Sequence, residues 1–198
     1  MMYAKDFRQL AWQRLSGQWG TMVLIYFLYS LISGVLSYIF IGSLLFSGAL
    51  MIGMCSATLS LLRYGRADLE QLFDGFRLNL PNAIVASILY SLFIALWSML
   101  FVIPGIIKSY SYAMTFYILR DNPNMSANDA ITESRRMMDG HKFRLFCLQL
   151  SFFGWILLGI ITFGIAMLFV APYMQTAQAA FYEDLKARQA PRDYFAQA

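Results

Sequence analysis

Charge is scarce in this chain: Asp, Glu, Lys and Arg make up 13% of its 198 residues, while 59% are hydrophobic. Soluble domains carry roughly a quarter charged residues, so the balance departs in the direction a bilayer demands. The shortage is also concentrated. No charged residue occurs from Gln18 to Leu62, from Leu78 to Ile107, or from Leu145 to Tyr182. Histidine is nearly missing, and with His141 alone no His-based metal cluster can be assembled. The two cysteines, Cys55 and Cys147, both fall in apolar stretches, where they behave as small hydrophobes and indicate no disulfide. Enzyme signatures are missing too: no Gly-x-Ser-x-Gly elbow, no His-Glu-x-x-His pair, no Walker-type phosphate loop and no Gly-x-Gly-x-x-Gly fingerprint. None of the long apolar runs holds a carboxylate, so intramembrane acid–base chemistry lacks its parts. The expectation is a protein that is not an enzyme and takes no cofactor or metal.

What is present is apolar length. A membrane span needs about 20 apolar residues, and each uncharged run is long enough for two crossings or for one and much of a second. The reading is an all-α, polytopic membrane helical bundle with about six transmembrane helices. Residues 1–185 form a single transmembrane domain, with spans at about 19–40, 44–62, 82–103, 106–119, 143–161 and 164–182, and 186–198 form a cytoplasmic tail. Gly42 and Ser43 mark the first turn, Pro104-Gly105 the second and Thr162 to Gly164 the third. The fourth helix is short for a span and the sixth contains Pro172, so whether both fully cross stays open. The N-terminal segment carries Lys5, Asp6, Arg8 and Arg14 and reads as a cytoplasmic lead-in rather than a cleavable signal.

Of the 15 Lys and Arg residues, 14 lie in the N-terminal lead, in the loops after the second and fourth helices, or in the tail. By the positive-inside tendency, these segments and both termini face the cytoplasm. The same distribution accounts for the net charge of +4 without nucleic acid. The bilayer is the expected partner, alongside a homo-oligomer or a membrane or cytoplasmic protein.

Three pieces of chain look alike. Each begins with an amphipathic stretch, passes Gly17, Gly75 or Gly140, and enters a hairpin turning at Gly42, Gly105 or Gly164. The pattern suggests three direct hairpin repeats, each led by a short cytoplasmic amphipathic helix. In the third, Ser126-x-x-Asp129 reads as a capping-box-like start, with Ala127, Ala130, Ile131, Ser134 and Met138 on one side and Arg135 and Arg136 on the other. Arg135 and Arg136 are the candidate interfacial basic residues, suited to anionic lipid; a plain loop helix packed beneath the bundle is the alternative.

Small residues line the first helix of two hairpins: Ser30, Ser33, Gly34 and Ser37, then Ala83, Ser87, Ser91 and Ala95. They read as packing surfaces that let helix backbones approach. The second helices carry more polar sets: Ser56 and Ser60; Lys108, Tyr112 and Thr115; Gln175 and Gln178. Their spacing puts each set on one helical face, and three such faces would converge on a central polar path. Interhelical hydrogen bonding explains the same residues without a path. Lys108, three residues past the Pro104-Gly105 turn, either snorkels outward or stands at a cavity mouth.

The segment from Ile103 to Leu119, together with Asp121-Asn-Pro-Asn124, Ala130 to Ser134, Met137-Met-Asp-Gly140, Leu150 to Trp155 and Ala171-Pro-Tyr173, resembles a family of small bacterial integral membrane proteins. That family is catalogued as domain of unknown function nine-seven-five. The resemblance covers about residues 5–185 and implies a Gram-positive-type bacterial cytoplasmic membrane protein. It carries no activity with it. Two functional readings follow: a non-enzymatic bundle that binds or passes a lipid-like or small amphiphilic solute, or a scaffold or accessory subunit that holds a cytoplasmic partner or anionic lipid through its interfacial helices.

Overall fold

The computed structural model describes residues 3–37, 40–100, 102–162 and 164–196, and among these every regular element is helical. In chain order they are α1 (Ala4–Leu15), α2 (Trp19–Ser37), α3 (Phe40–Tyr64), a 3-10 turn (Leu69–Phe73), α4 (Asp74–Leu100), α5 (Val102–Tyr112), α6 (Thr115–Asp121), α7 (Ala127–Met137), α8 (Lys142–Leu150), α9 (Phe153–Ile161) and α10 (Met167–Ala196).

α3 is the axis of the molecule, packed by α2, α4, α6, α10 and the 3-10 turn. From Ile52 to Leu62 every residue on it is buried. Glycine makes this possible. A Cβ at Gly53 would lie 1.9 Å from the Leu72 carbonyl oxygen, and one at Gly48 would lie 2.2 Å from that of Ala83. Gly75 of α4 meets the Ala49 carbonyl in the same way, at 2.0 Å. These backbone-to-backbone contacts leave no room for water between α3, the 3-10 turn and the start of α4. Ala83 and Ser87 supply this packing, as small residues do, while Ser91 and Ala95 farther along α4 are exposed.

The outer helices show the opposite pattern. α4 exposes Leu78, Val85, Ile88, Leu92, Leu96 and Met99, and α2 exposes Leu24, Phe27, Leu31 and Val35. Steps of three and four make each set one helical stripe. Apolar stripes of this size are rare on soluble monomers. Among the described residues three stretches are long and apolar enough to cross a membrane: Phe46–Tyr64, Leu80–Met99 and Lys142–Ile161. A fourth is possible if α1 and α2, bent by 101°, count as one span.

Several boundaries differ from the sequence expectation. Gly42 and Ser43 lie inside α3, since one glycine costs a helix only about 1 kcal/mol and does not by itself break it; Tyr38 and Ile39, at the end of the expected first span, lie outside the described residues. Pro104-Gly105 is likewise no stop. Pro104 sits in the first turn of α5, where its missing N–H has no helical partner to lose. The expected helix 106–119 is broken at Ala113-Met114, and 143–161 at Ser151-Phe152. α5 and α6, with 11 and 7 residues, reach roughly 16 and 10 Å, well short of a bilayer core of about 30 Å. The turn near Gly164 does occur, with that residue at φ 89°, although Phe163 is outside the described residues. α10 runs through Pro172 and continues to Ala196, so the expected tail is helical as far as it is described. The repeated glycines are not equivalent either. Gly17 and Gly140 take positive φ at helix ends, whereas Gly75 is helical and chosen for close approach.

Candidate functional site

The polar residues expected on the second helices separate into different regions. Ser56 and Ser60 of α3 are buried at the C-terminal half of that helix. Ser56 donates to the Asp74 carboxylate and accepts from Arg120 Nε at 3.4 Å, and Ser60 accepts from the same guanidinium at 3.4 Å. Thr115 is fully buried, with its hydroxyl turned back onto the Tyr112 carbonyl at 2.8 Å, where it satisfies the break between α5 and α6. Tyr112 packs among Tyr90 and Phe93. Gln175 and Gln178 lie half-buried on α10, and Gln175 Oε1 is buried without a hydrogen-bond partner among the described residues.

Lys108 stands apart. Its ammonium lies 4.6 Å from the Trp97 ring. Trp97 and Asp74 are near opposite ends of α4, roughly 35 Å apart along a helix rising 1.5 Å per residue. Lys108 and the Ser56–Asp74 contact therefore cannot border one pocket.

The principal polar constellation is formed instead by charged residues at the ends of the apolar runs. At its centre is Asp121, the last residue of α6, with a side chain only 5% exposed. Arg63 of α3 grips it with two hydrogen bonds of 2.9 and 2.7 Å. Arg120 adds a bond of 3.1 Å, Lys186 one of 2.5 Å and the Tyr182 hydroxyl one of 3.2 Å. Arg63 also reaches Glu183 at 2.7 Å. A carboxylate offers about four lone-pair sites, and these five donors use them fully. Burial by itself would raise the Asp121 pKa; the hydrogen bonds from Arg63 and Lys186 outweigh it and hold the carboxyl well below the usual range. An acid so held is a poor proton acceptor. Its role is to tie the ends of α3, α6 and α10 together.

A second clamp lies nearby. Arg144 of α8 bonds Asp184 at 2.9 Å, and Arg188 bonds the same carboxylate at 2.9 Å. The Arg144 guanidinium also faces the rings of Phe181 at 5.4 Å and Phe7 at 5.8 Å, joining α1, α8 and α10. Burial opposes ionisation of Asp184, but the bonds from Arg188 and Arg144 prevail and lower its pKa.

The candidate interfacial residues are on the outer face of α7. Ser126 caps that helix, accepting from the Asp129 N–H at 3.2 Å and donating to its carboxylate at 2.7 Å. Ala127, Ala130, Ile131, Ser134 and Met138 are buried, while Arg135 and Arg136 are exposed, Arg136 paired to Glu133 at 2.9 Å. The apolar side of α7 faces protein: Ser134 bonds the Ser111 carbonyl and the Met114 N–H. This geometry is that of a helix packed against the bundle. Both cysteines are free, Cys55 buried and Cys147 half-buried. Among the described residues no group of His, Cys, Asp and Glu could hold a metal ion.

A buried axial helix, apolar stripes facing outward and a paired charge cluster at the C-terminal end of α3 define the class: a helical bundle in which, among the described residues, three stretches are long and apolar enough to cross a membrane. Within that class the chain belongs to the family described as Protein of unknown function (DUF975), whose family model matches residues 1–114 and 99–189. No curated protein and no solved structure matches it.

Proposed function

We propose that the protein is a multi-pass protein of the bacterial cytoplasmic membrane, with both termini and its charged base in the cytoplasm. It acts without catalysis as a membrane-embedded scaffold or accessory subunit. The observation that carries this reading is the close packing around α3. A solute path along Ser56, Ser60 and Thr115 needs water beside those hydroxyls, yet all three are buried and hydrogen-bonded to protein. Six crossings remain part of the proposal, with α5 and α6 together making one bent crossing and α10 another. The ionic clamps on Asp121 and Asp184 support a rigid base, as a partner-holding surface requires.

Purified protein in vesicles loaded with a small anionic dye tests this. The account predicts leakage no faster than from empty vesicles. Protein-dependent release that changes in Ser56→Ala or Ser60→Ala would restore the path. A second reading, binding of a lipid-like amphiphile, is supported at the periphery of the bundle by the groove beside α1.

A further inference from the structure

Along one side of α1 runs a groove whose two halves differ in chemistry. One half, of about 460 Å³, is lined by Lys5 and Arg8 and extends to Trp12, Trp155 and Tyr173. The other, of about 210 Å³, shares those three rings and continues over Trp19 and Phe169. Lys5, Arg8 and Trp12 fall on one face of α1 because they are three and four residues apart, while Phe7, Ala11 and Leu15 take the buried face. The aromatic wall is built by packing: Trp12 lies edge-on to Trp19 at 5.2 Å and to Tyr173 at 5.7 Å. Even so, Trp12 remains 52% and Trp155 42% exposed.

The charges at the polar end are uncompensated. Arg63, Arg120, Arg144, Lys186 and Arg188 at the base each contact a carboxylate. Among the described residues Lys5 and Arg8 contact none; the Arg8 guanidinium bonds the Ser151 carbonyl at 3.0 Å, and the Arg8 backbone carbonyl accepts from the Tyr173 hydroxyl at 3.1 Å. The acid that α1 does carry, Asp6, is occupied in capping the Tyr3 N–H at 2.8 Å. Two cations without a carboxylate partner among the described residues therefore border an apolar aromatic trough, on a helix lying at 101° to the apolar α2. Tryptophan and tyrosine favour the headgroup level of a bilayer, and a helix at that angle to a span lies in the plane of the interface.

We propose that this groove binds one anionic phospholipid, its phosphate at Lys5 and Arg8 and its acyl chains over Trp12, Trp155 and Phe169. The site rests on the membrane reading above and on α1 lying at the cytoplasmic interface. It would hold the N-terminal helix in register with α9 and α10 through lipid rather than through protein contacts alone.

The test uses full-length protein in phosphatidylcholine vesicles containing phosphatidylglycerol, with bromine on the acyl chains of one lipid or the other, and tryptophan fluorescence as readout. A chain with Trp97→Phe keeps only the groove tryptophans; a chain with Trp12, Trp19 and Trp155 all changed to Phe keeps only Trp97 and reports insertion. The expected result is quenching of the groove tryptophans by brominated phosphatidylglycerol severalfold above that set by its mole fraction. Lys5→Gln should lower the preference about fivefold, the effect of one basic residue near an anionic surface. Lys5 is exposed and its side chain makes no hydrogen bond among the described residues, so that variant keeps the fold. Equal quenching by both lipids, with Trp97 still quenched, overturns the site and leaves the membrane reading standing. Absence of quenching in the Trp97-only chain overturns both.

Discussion

Asp121 shows how much one side chain can organise when its partners come from distant parts of the chain. Arg63 and Lys186, its closest ligands, are 58 and 65 residues away in sequence. Replacing it with Asn leaves three cations facing one another at a half-buried position. Removing one partner of a buried ion pair costs roughly 3–5 kcal/mol, and Asp121→Asn should show a loss of that order in denaturant titration of the purified protein. Because Asp121 and Asp184 both have lowered pKa values, their contribution is complete above the unfolded aspartate value near 3.9 and is lost as the pH falls below it. Thermal midpoints should therefore hold level through neutral pH and drop below about pH 4, with a smaller drop in Asp121→Asn. Lys108 leads to a contrasting expectation. Its ammonium sits over Trp97, a contact worth about 0.5–1 kcal/mol at an exposed site. Lys108→Met should lower stability by no more than that and leave any cellular phenotype unchanged, as growth of a complemented deletion strain would reveal. The sequence singled out Lys108 because a charge in an apolar run is conspicuous. It placed Asp121 only within the segments that carry the family resemblance and gave no sign of the clamp, because charged residues at the ends of apolar runs look the same whether they are solvated or clamped.

At the scale of elements, α3 sets the packing of its neighbours. Its glycines are sites of backbone contact, and Gly53→Ala would drive a methyl group into the Leu72 carbonyl. Overpacking of this kind typically costs 1–3 kcal/mol. Gly53→Ala should lower the thermal midpoint, whereas Gly34→Ala, with open space around the added methyl, should not. The amphipathic start of α7 was legible in full, since Ser126 with Asp129 and the buried spacing are local signals. The breaks at Ala113-Met114 and Ser151-Phe152 were not, because neither pair contains Gly or Pro and neither interrupts its apolar run; beside them Tyr110 of α5 bonds Gln149 of α8 at 2.7 Å. Pro172 misled in the opposite sense. α10 passes through it near its first turns, held by its neighbours, with the Thr176 hydroxyl bonded to the Pro172 carbonyl at 2.8 Å.

For the whole molecule, the apolar runs gave the all-helical class but not the depth at which each helix sits: of the six spans expected from them, three stretches among the described residues are long and apolar enough to cross a membrane. Burial is divided unevenly among those stretches: 78% of Phe46–Tyr64 is inside the protein, against 17% of Leu80–Met99 and 22% of Lys142–Ile161. The axial stretch is the least apolar of the three, with a mean hydropathy of 1.3 against 1.8 for the other two, and its Gly48, Ala49, Gly53, Ser56, Ala57 and Ser60 are the small residues that close packing needs. That division fits a membrane bundle closed at its centre that acts from its base and its rim. A structure of the protein in lipid nanodiscs tests it most directly. The account predicts ordered acyl chains along the exposed stripes of α2 and α4 and no water beside Ser56, Ser60 or Thr115. A hydrated cavity reaching those hydroxyls, or polar solvent rather than lipid along the stripes, would contradict it.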